Sequence, residues 1–303
     1  MNVRDALCQG RLSVARALAI GATSGPEPDE ETLSWQLLSA TAWYSDRVTI
    51  RAFTRHEENR LTGADWLWWW EGHPNEWFGC LVQAKRLKYS RGTVTFDFGY
   101  LPRASSAVPH PPRQIDRLLA AADGLQVPAA YVLYRSPTLG PPDPWRCELI
   151  EPDLAAGAAT FVAAAVVNEW FSLQREADLN SLRPIDCLTC PGLCTPDLLA
   201  LSFYARGLAD SDVREMLVAP PDTPARRAFR AILAEAVQMR LAHFRPATLD
   251  ERDALHSGLA LGEHFMRGVR EPPRYVTDAL DGGGAIDAEE VGSVAGVVVI
   301  SNS

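Results

Sequence analysis

The string QAKRLK contains the only two lysines, Lys85 and Lys88, of a 303-residue chain with 29 Lys and Arg side chains. Everywhere else the cation is arginine, so a lysine marks a position where a compact, titratable ammonium matters. Gln83 stands two residues before Lys85, and Asp65 precedes it in the string TGADW. A carboxylate, a carboxamide oxygen and an ammonium brought to one point can handle a phosphate ester. Asp65 would ligate a hard divalent cation, and Gln83 would offer a weaker, neutral oxygen. Lys85 would orient an attacking water or neutralise charge building on phosphorus. Glu58 is a further acidic candidate, while Arg86 and Lys88 are placed to steer a phosphate backbone.

The elements that must hold these residues follow from periodicity and breakers. The first twenty residues read as an amphipathic helix, followed by the linker GATSGPEPD. Asp29 is the expected N-cap of a helix from about Glu30 to Tyr44, with Leu33, Leu37 and Ala40 on one stripe. DRVTIRAFT alternates as a strand, ADWLWWWE reads as a second and GCLVQAKRL as a third. HPPRQIDRLLAAADG is a helix bounded by Pro112 and Gly124, and PAAYVLY is a fourth strand. Beyond that the pattern is mostly helical, over 154–173, 195–208, 210–218, 223–243 and 248–267. The last apolar run, VAGVVVI, predicts a terminal strand able to return to the sheet. Residues two apart on a strand share a face, so Leu81, Gln83, Lys85 and Leu87 lie together, and so do Asp65, Leu67 and Trp69. Pairing those two strands brings Asp65 beside Gln83 and Lys85.

The order αβββαβ, with Asp in the second strand and Gln-x-Lys in the third, resembles the PD-(D/E)XK, restriction-endonuclease-like nuclease superfamily. The likeness is to its QxK variants, as in Mrr-type restriction enzymes and uncharacterised bacterial proteins with GADW…QAKRL. The resemblance covers about residues 29 to 135 and implies an α/β fold whose core is a mixed sheet. It further implies Mg²⁺ or Mn²⁺ as cofactor, hydrolysis of DNA (with RNA left open) and a role in bacterial defence. Its first-helix acid falls on Glu31, within EETLSW, with Glu30 the rival, so the implied metal set is Asp65, Gln83 and Glu31. Gln114 stands at the position of an auxiliary polar residue. Gln83 replaces the usual acid, and a neutral ligand weakens a metal site. That substitution keeps a second reading open, a nuclease-like module that binds nucleic acid or a partner protein without cutting.

The corresponding division of the chain is 1–28 as helix and linker, 29–150 as the nuclease-like core and 151–303 as a mostly helical accessory region. That region could form a homodimer or meet a defence-system partner. Trp66, Trp68, Trp69, Trp70 and Trp77 crowd into twelve residues. Aromatics of this kind stack on bases or fill a core. The strand period favours core for most of them, with Trp77, in the following loop, expected to be exposed and available to nucleic acid. Cys187, Cys190 and Cys194 have the spacing of part of a structural zinc shell, but no adjacent fourth ligand; buried thiols are the alternative.

The composition bounds the rest. Apolar residues make up 47% of the chain and charged residues 22%, which suits a globular protein with a real core. The formal charge of -9 excludes a protein that coats nucleic acid by bulk charge. It permits a local groove, because residues 47 to 120 hold eleven Lys and Arg against seven Asp and Glu. No window reaches the roughly 18 apolar residues of a membrane span, and the charged start does not read as a secretory signal. Six cysteines are too few for a disulfide scaffold. A reduced, cytoplasmic protein is expected.

Overall fold

The computed structural model describes residues 1–52, 66–90, 93–100, 111–136, 155–172, 182–192, 211–243, 260–282, 291 and 294–302. In chain order the elements are α1 (Val3–Ser24), α2 (Glu30–Tyr44), β1 (Val48–Ala52), β2 (Trp66–Trp70), β3 (Trp77–Arg86), β4 (Lys88–Ser90), β5 (Thr93–Thr95), α3 (Gln114–Gly124) and β6 (Ala129–Tyr134). They continue with β7 (Ala159–Ala163), α4 (Ala164–Ser172), β8 (Arg183–Pro184), α5 (Ser211–Val218), α6 (Pro224–His243), α7 (Ala260–Met266), β9 (Val269–Arg270), α8 (Arg274–Leu280) and β10 (Gly296–Ile300). This is an α/β fold built on a mixed sheet of order β1-β10-β2-β3-β6-β7-β8, with β9 added to β3. The expected succession of helix, three strands, helix and strand is present as α2, β1, β2, β3, α3 and β6, with the small β4–β5 hairpin between β3 and α3.

The sheet has helices on both faces, and side-chain contacts assign them. Trp66 stacks with Trp35 of α2, Phe78 meets Phe229 of α6 edge-on, and the Tyr134 hydroxyl donates to Ser34 Oγ of α2 at 3.1 Å. On the opposite face Trp69 packs against Tyr275 of α8, and Lys85 reaches α3. Strands covered on both sides must be apolar on both sides, and β2, the run WLWWW, is buried at every position. The tryptophans of β2 are therefore core. Trp77 is core as well, contrary to expectation. It is the first residue of β3, paired with Arg270 of β9, and is only 8% exposed. The added strand β9 holds Trp77 in the sheet while residues 72–76 turn before it, so this ring is not a surface for nucleic acid.

Two further expectations change. The stretch 154–173 is not one helix; Ala159–Ala163 forms β7 against β6, and the helix is confined to Ala164–Ser172. The run FVAAAVV across the junction is apolar throughout, and a buried strand then looks like a buried helix. The terminal strand does return to the sheet, but between β1 and β2. It runs antiparallel to β1 and parallel to β2, so those two strands are not neighbours. The helix expected over 195–208 lies outside the described residues, as does 248–259 of the helix expected over 248–267.

At its start, α2 has the Asp29 side chain accepting the Thr32 amide at 2.8 Å, which satisfies one of the helix's open donors. α1 lies tightly against α2, because Gly10 has no side chain. A Cβ there would come within 2.4 Å of Thr41 Oγ1 and 2.6 Å of the Leu37 carbonyl. Among the described residues no helix is long and apolar enough to cross a membrane.

Candidate functional site

β3 is the element that carries chemistry. Its residues up to Val82 are laddered to β2, the last described pair being Trp66 with Val82. On its other side β3 runs parallel to β6, with Gln83 beside Tyr131 and Lys85 beside Leu133. Strand alternation puts Gln83 and Lys85 on one face, and both are buried, at 2% and 5% exposure. A buried ammonium needs acceptors. Lys85 Nζ donates to Gln114 Oε1 at 2.6 Å, from the first residue of α3. The chain brings Gln114 there by anchoring its amide on the Tyr100 carbonyl at 3.0 Å and by locking Arg113 to Asp116 through the first turn.

Gln83 presents the opposite situation. Its Oε1 is buried and has no hydrogen-bond partner. Native proteins leave few such groups, because an unsatisfied buried acceptor costs about 1–3 kcal/mol. The floor around it is apolar: Phe98 packs on Tyr131 with ring centroids 4.8 Å apart, and Phe98 is buried. Such an oxygen could serve as a single neutral ligand of a hard divalent cation, which needs several more oxygens.

The acids of α2 behave unequally. Glu30 Oε1 accepts the Arg86 backbone amide at 2.9 Å, so this carboxylate reaches the end of β3, next to Lys85. Glu31 is exposed on the helix surface. The position that EETLSW offers as a rival is thus the one whose side chain meets β3. The linker before α2 reaches the same point, since Arg86 Nη1 pairs with Glu27 at 2.6 Å.

Asp65 and Glu58 lie outside the described residues. Asp65 directly precedes Trp66, as Gln83 directly follows its partner Val82. Lys88 opens β4, where its backbone pairs with Thr95; its side chain is outside the described set. Cys187 and Cys190 are buried in and beside the 3-10 turn Ile185–Thr189, while Cys194 lies outside the described residues. Among the described residues no group of three or more His, Cys, Asp or Glu side chains could hold a metal ion.

Sequence reasoning did not single out Tyr131 or Phe98. The signal for Tyr131 was available, because the two-residue period of PAAYVLY sets it on one strand face with Leu133. Phe98 carried one too, since Val94, Phe96 and Phe98 alternate with Thr95 and Asp97, but no local pattern reveals that this segment crosses over Tyr131.

The model of DUF6615, a family of unknown function, matches residues 4–303. No curated protein and no solved structure matches the chain.

Proposed function

The chain belongs to DUF6615, and from that premise we propose that it is a metal-dependent phosphodiesterase of the restriction-endonuclease-like kind, acting on DNA in defence against foreign genomes. One observation carries the reading. A buried ammonium aimed by Gln114 and a buried carboxamide oxygen without a partner share one face of a single strand. A core that only needed to be filled would hold neither group.

In this proposal Asp65, the Gln83 oxygen and an acid from the first turn of α2 would hold Mg²⁺ or Mn²⁺, which would supply Lewis acidity toward the scissile phosphate. The remaining work belongs to the chain. Lys85 donates to the oxygen on which negative charge develops, and Gln114 fixes the direction of its Nζ, so little reorganisation is needed as the charge forms. Burial beside Phe98 and Tyr131 keeps the local dielectric low, which strengthens the Lys85 contact. Arg86 and Lys88 follow directly along the chain and attract the backbone on either side of the cut. The accessory region would form a homodimer or bind a defence-system partner.

The test is incubation of plasmid and linear DNA with purified protein in Mg²⁺ or Mn²⁺, with and without EDTA. Cleavage that needs the metal and stops with EDTA is the expected outcome; intact DNA under every condition contradicts the proposal. The second reading, a module that binds without cutting, is favoured by the neutrality of both Gln83 and Gln114. It expects DNA to be retained and left intact.

A further inference from the structure

Glu30 is held at the end of β3 by hydrogen bonds that close on themselves. In the parallel β3–β6 ladder, odd-numbered amides of β3 donate to β6: Leu81 to the Pro128 carbonyl at 2.9 Å and Leu87 to that of Tyr134 at 2.8 Å. Even-numbered amides therefore point the other way, toward β2. Arg86 has one of them, and Glu30 Oε1 accepts from it at 2.9 Å. That oxygen thus lies near the plane of the sheet, on the β2 side of β3, rather than on either covered face. It meets the backbone one residue beyond Lys85. The bond uses one carboxylate oxygen and leaves the other for a ligand.

A glutamate in the first turn of a helix has many rotamers to choose from, so its backbone must be fixed before its carboxylate is. The Ser34 hydroxyl donates to the Glu30 carbonyl at 2.8 Å. Back-bonding of this kind is common and by itself says little. Here the Tyr134 hydroxyl, from β6, donates to the same Ser34 oxygen at 3.1 Å, and both side chains are buried. Tyr134 is also the residue of β6 that pairs with Arg86. The contacts close a ring from Arg86 to Glu30, Ser34 and Tyr134, and back through the ladder. Phe and Ala would fill the same space without it.

We propose that Tyr134 and Ser34 are positioning residues, which hold the Glu30 carboxylate at the end of β3 for the divalent cation of the site. The cation rests on the phosphodiesterase reading; the holding of Glu30 does not.

The experiment takes wild type, Tyr134→Phe, Ser34→Ala and Ser34→Thr through two measurements without DNA. Amide hydrogen exchange of the metal-free proteins, resolved by NMR, follows the Arg86 amide, with that of Trp68, paired with Cys80 in mid-β2, as control. Calorimetry then measures Mn²⁺ affinity. Tyr134→Phe and Ser34→Ala should speed Arg86 exchange about threefold to tenfold relative to Trp68. Mn²⁺ affinity should fall by about the same factor in both. Ser34→Thr, which keeps the hydroxyl, should match wild type in both measurements. A merely structural role would speed Arg86 and Trp68 alike and leave Mn²⁺ affinity where it was. Unchanged Arg86 exchange in folded Tyr134→Phe and Ser34→Ala overturns the ring as the device that holds Glu30. Faster exchange with unchanged Mn²⁺ affinity overturns its role at the site. A wild type that binds no Mn²⁺ contradicts the metal of the phosphodiesterase reading, whereas Arg86 exchange that still depends on Tyr134 would leave the holding of Glu30 standing.

Discussion

Around α1 the protein buries arginines against carboxylates, Arg11 to Asp186 and Arg183 to Glu235, each at 2.9 Å. At the end of β3 it buries Lys85 against the neutral carboxamide of Gln114 at 2.6 Å, close to a Gln83 oxygen with no partner. The first pattern stores charge. Each cation meets an anion, and the pairs pin α1 and β8 to the 3-10 turn Ile185–Thr189 and α6. Even there, burial raises the Asp186 carboxyl above the usual aspartate range against the pull of Arg11, which is the desolvation penalty that such pairs carry. The second pattern directs a charge by a neutral side chain and leaves an acceptor unsatisfied beside it. A buried acceptor without a partner beside a buried lysine is what sets the β3 end, rather than the α1 end, apart as the candidate site.

The contrast can be broken most strongly at Asp186. Asp186→Ala removes the anion and leaves Arg11 buried, and should cost about 3–5 kcal/mol in urea unfolding. The double variant Arg11→Met with Asp186→Ala should recover part of that loss. A single variant as stable as wild type would mean that the pair is not a structural tie.

The next effect concerns Gln83. Gln83→Glu adds a full charge next to the proposed ion, worth on the order of 4 kcal/mol at about 4 Å in an effective dielectric near 20 before desolvation. Partial survival of that gain still gives about tenfold tighter Mn²⁺ binding by calorimetry. Unchanged affinity in a folded variant would put Gln83 outside the metal shell and favour the binding module. Activity is a poorer readout, since the new acid also competes for Lys85.

The smallest effect is at the cap that aims Glu30. Asp29→Ala should cost about 1 kcal/mol. Hydrogen bonds from the Thr32 side chain and amide hold the Asp29 carboxyl below the ordinary aspartate value. The folded state thus binds this proton more weakly than the unfolded chain. Its contribution is present above about pH 4 and is lost as the pH falls through the lowered folded value. Thermal melts of wild type and Asp29→Ala should therefore converge on acidification. A gap that widens in acid would contradict the capping role.

Much of this arrangement was legible in the sequence where the cause is local. Asp29 followed by an apolar stripe gave α2 its start and end, and the two-residue period put Gln83 and Lys85 on one face of β3. Gln114 was singled out by the family resemblance, but the 2.6 Å contact across 29 residues of chain could not be read from any window. The insertion of β10 between β1 and β2 was hidden for a related reason: VAGVVVI says strand, while the choice of neighbours depends on the whole sheet. Trp77 was misjudged because its partner, Val269–Arg270, is a two-residue strand with no pattern of its own. The resemblance put the first-helix acid on Glu31 with Glu30 as rival, and the contact of Glu30 with the Arg86 amide at the end of β3 could not be read from any helix period.

The most direct measurement compares Lys85→Met with wild type in two assays on the same preparation, metal-dependent DNA cleavage and urea unfolding. Methionine fills the buried channel without the charge, so the fold should survive with a loss of no more than about 1–3 kcal/mol from the unsatisfied Gln114 oxygen. Cleavage should fall by about a hundredfold or more. Wild-type cleavage in a stable Lys85→Met protein would contradict the assignment of Lys85, and with it the claim that the end of β3 is the active site.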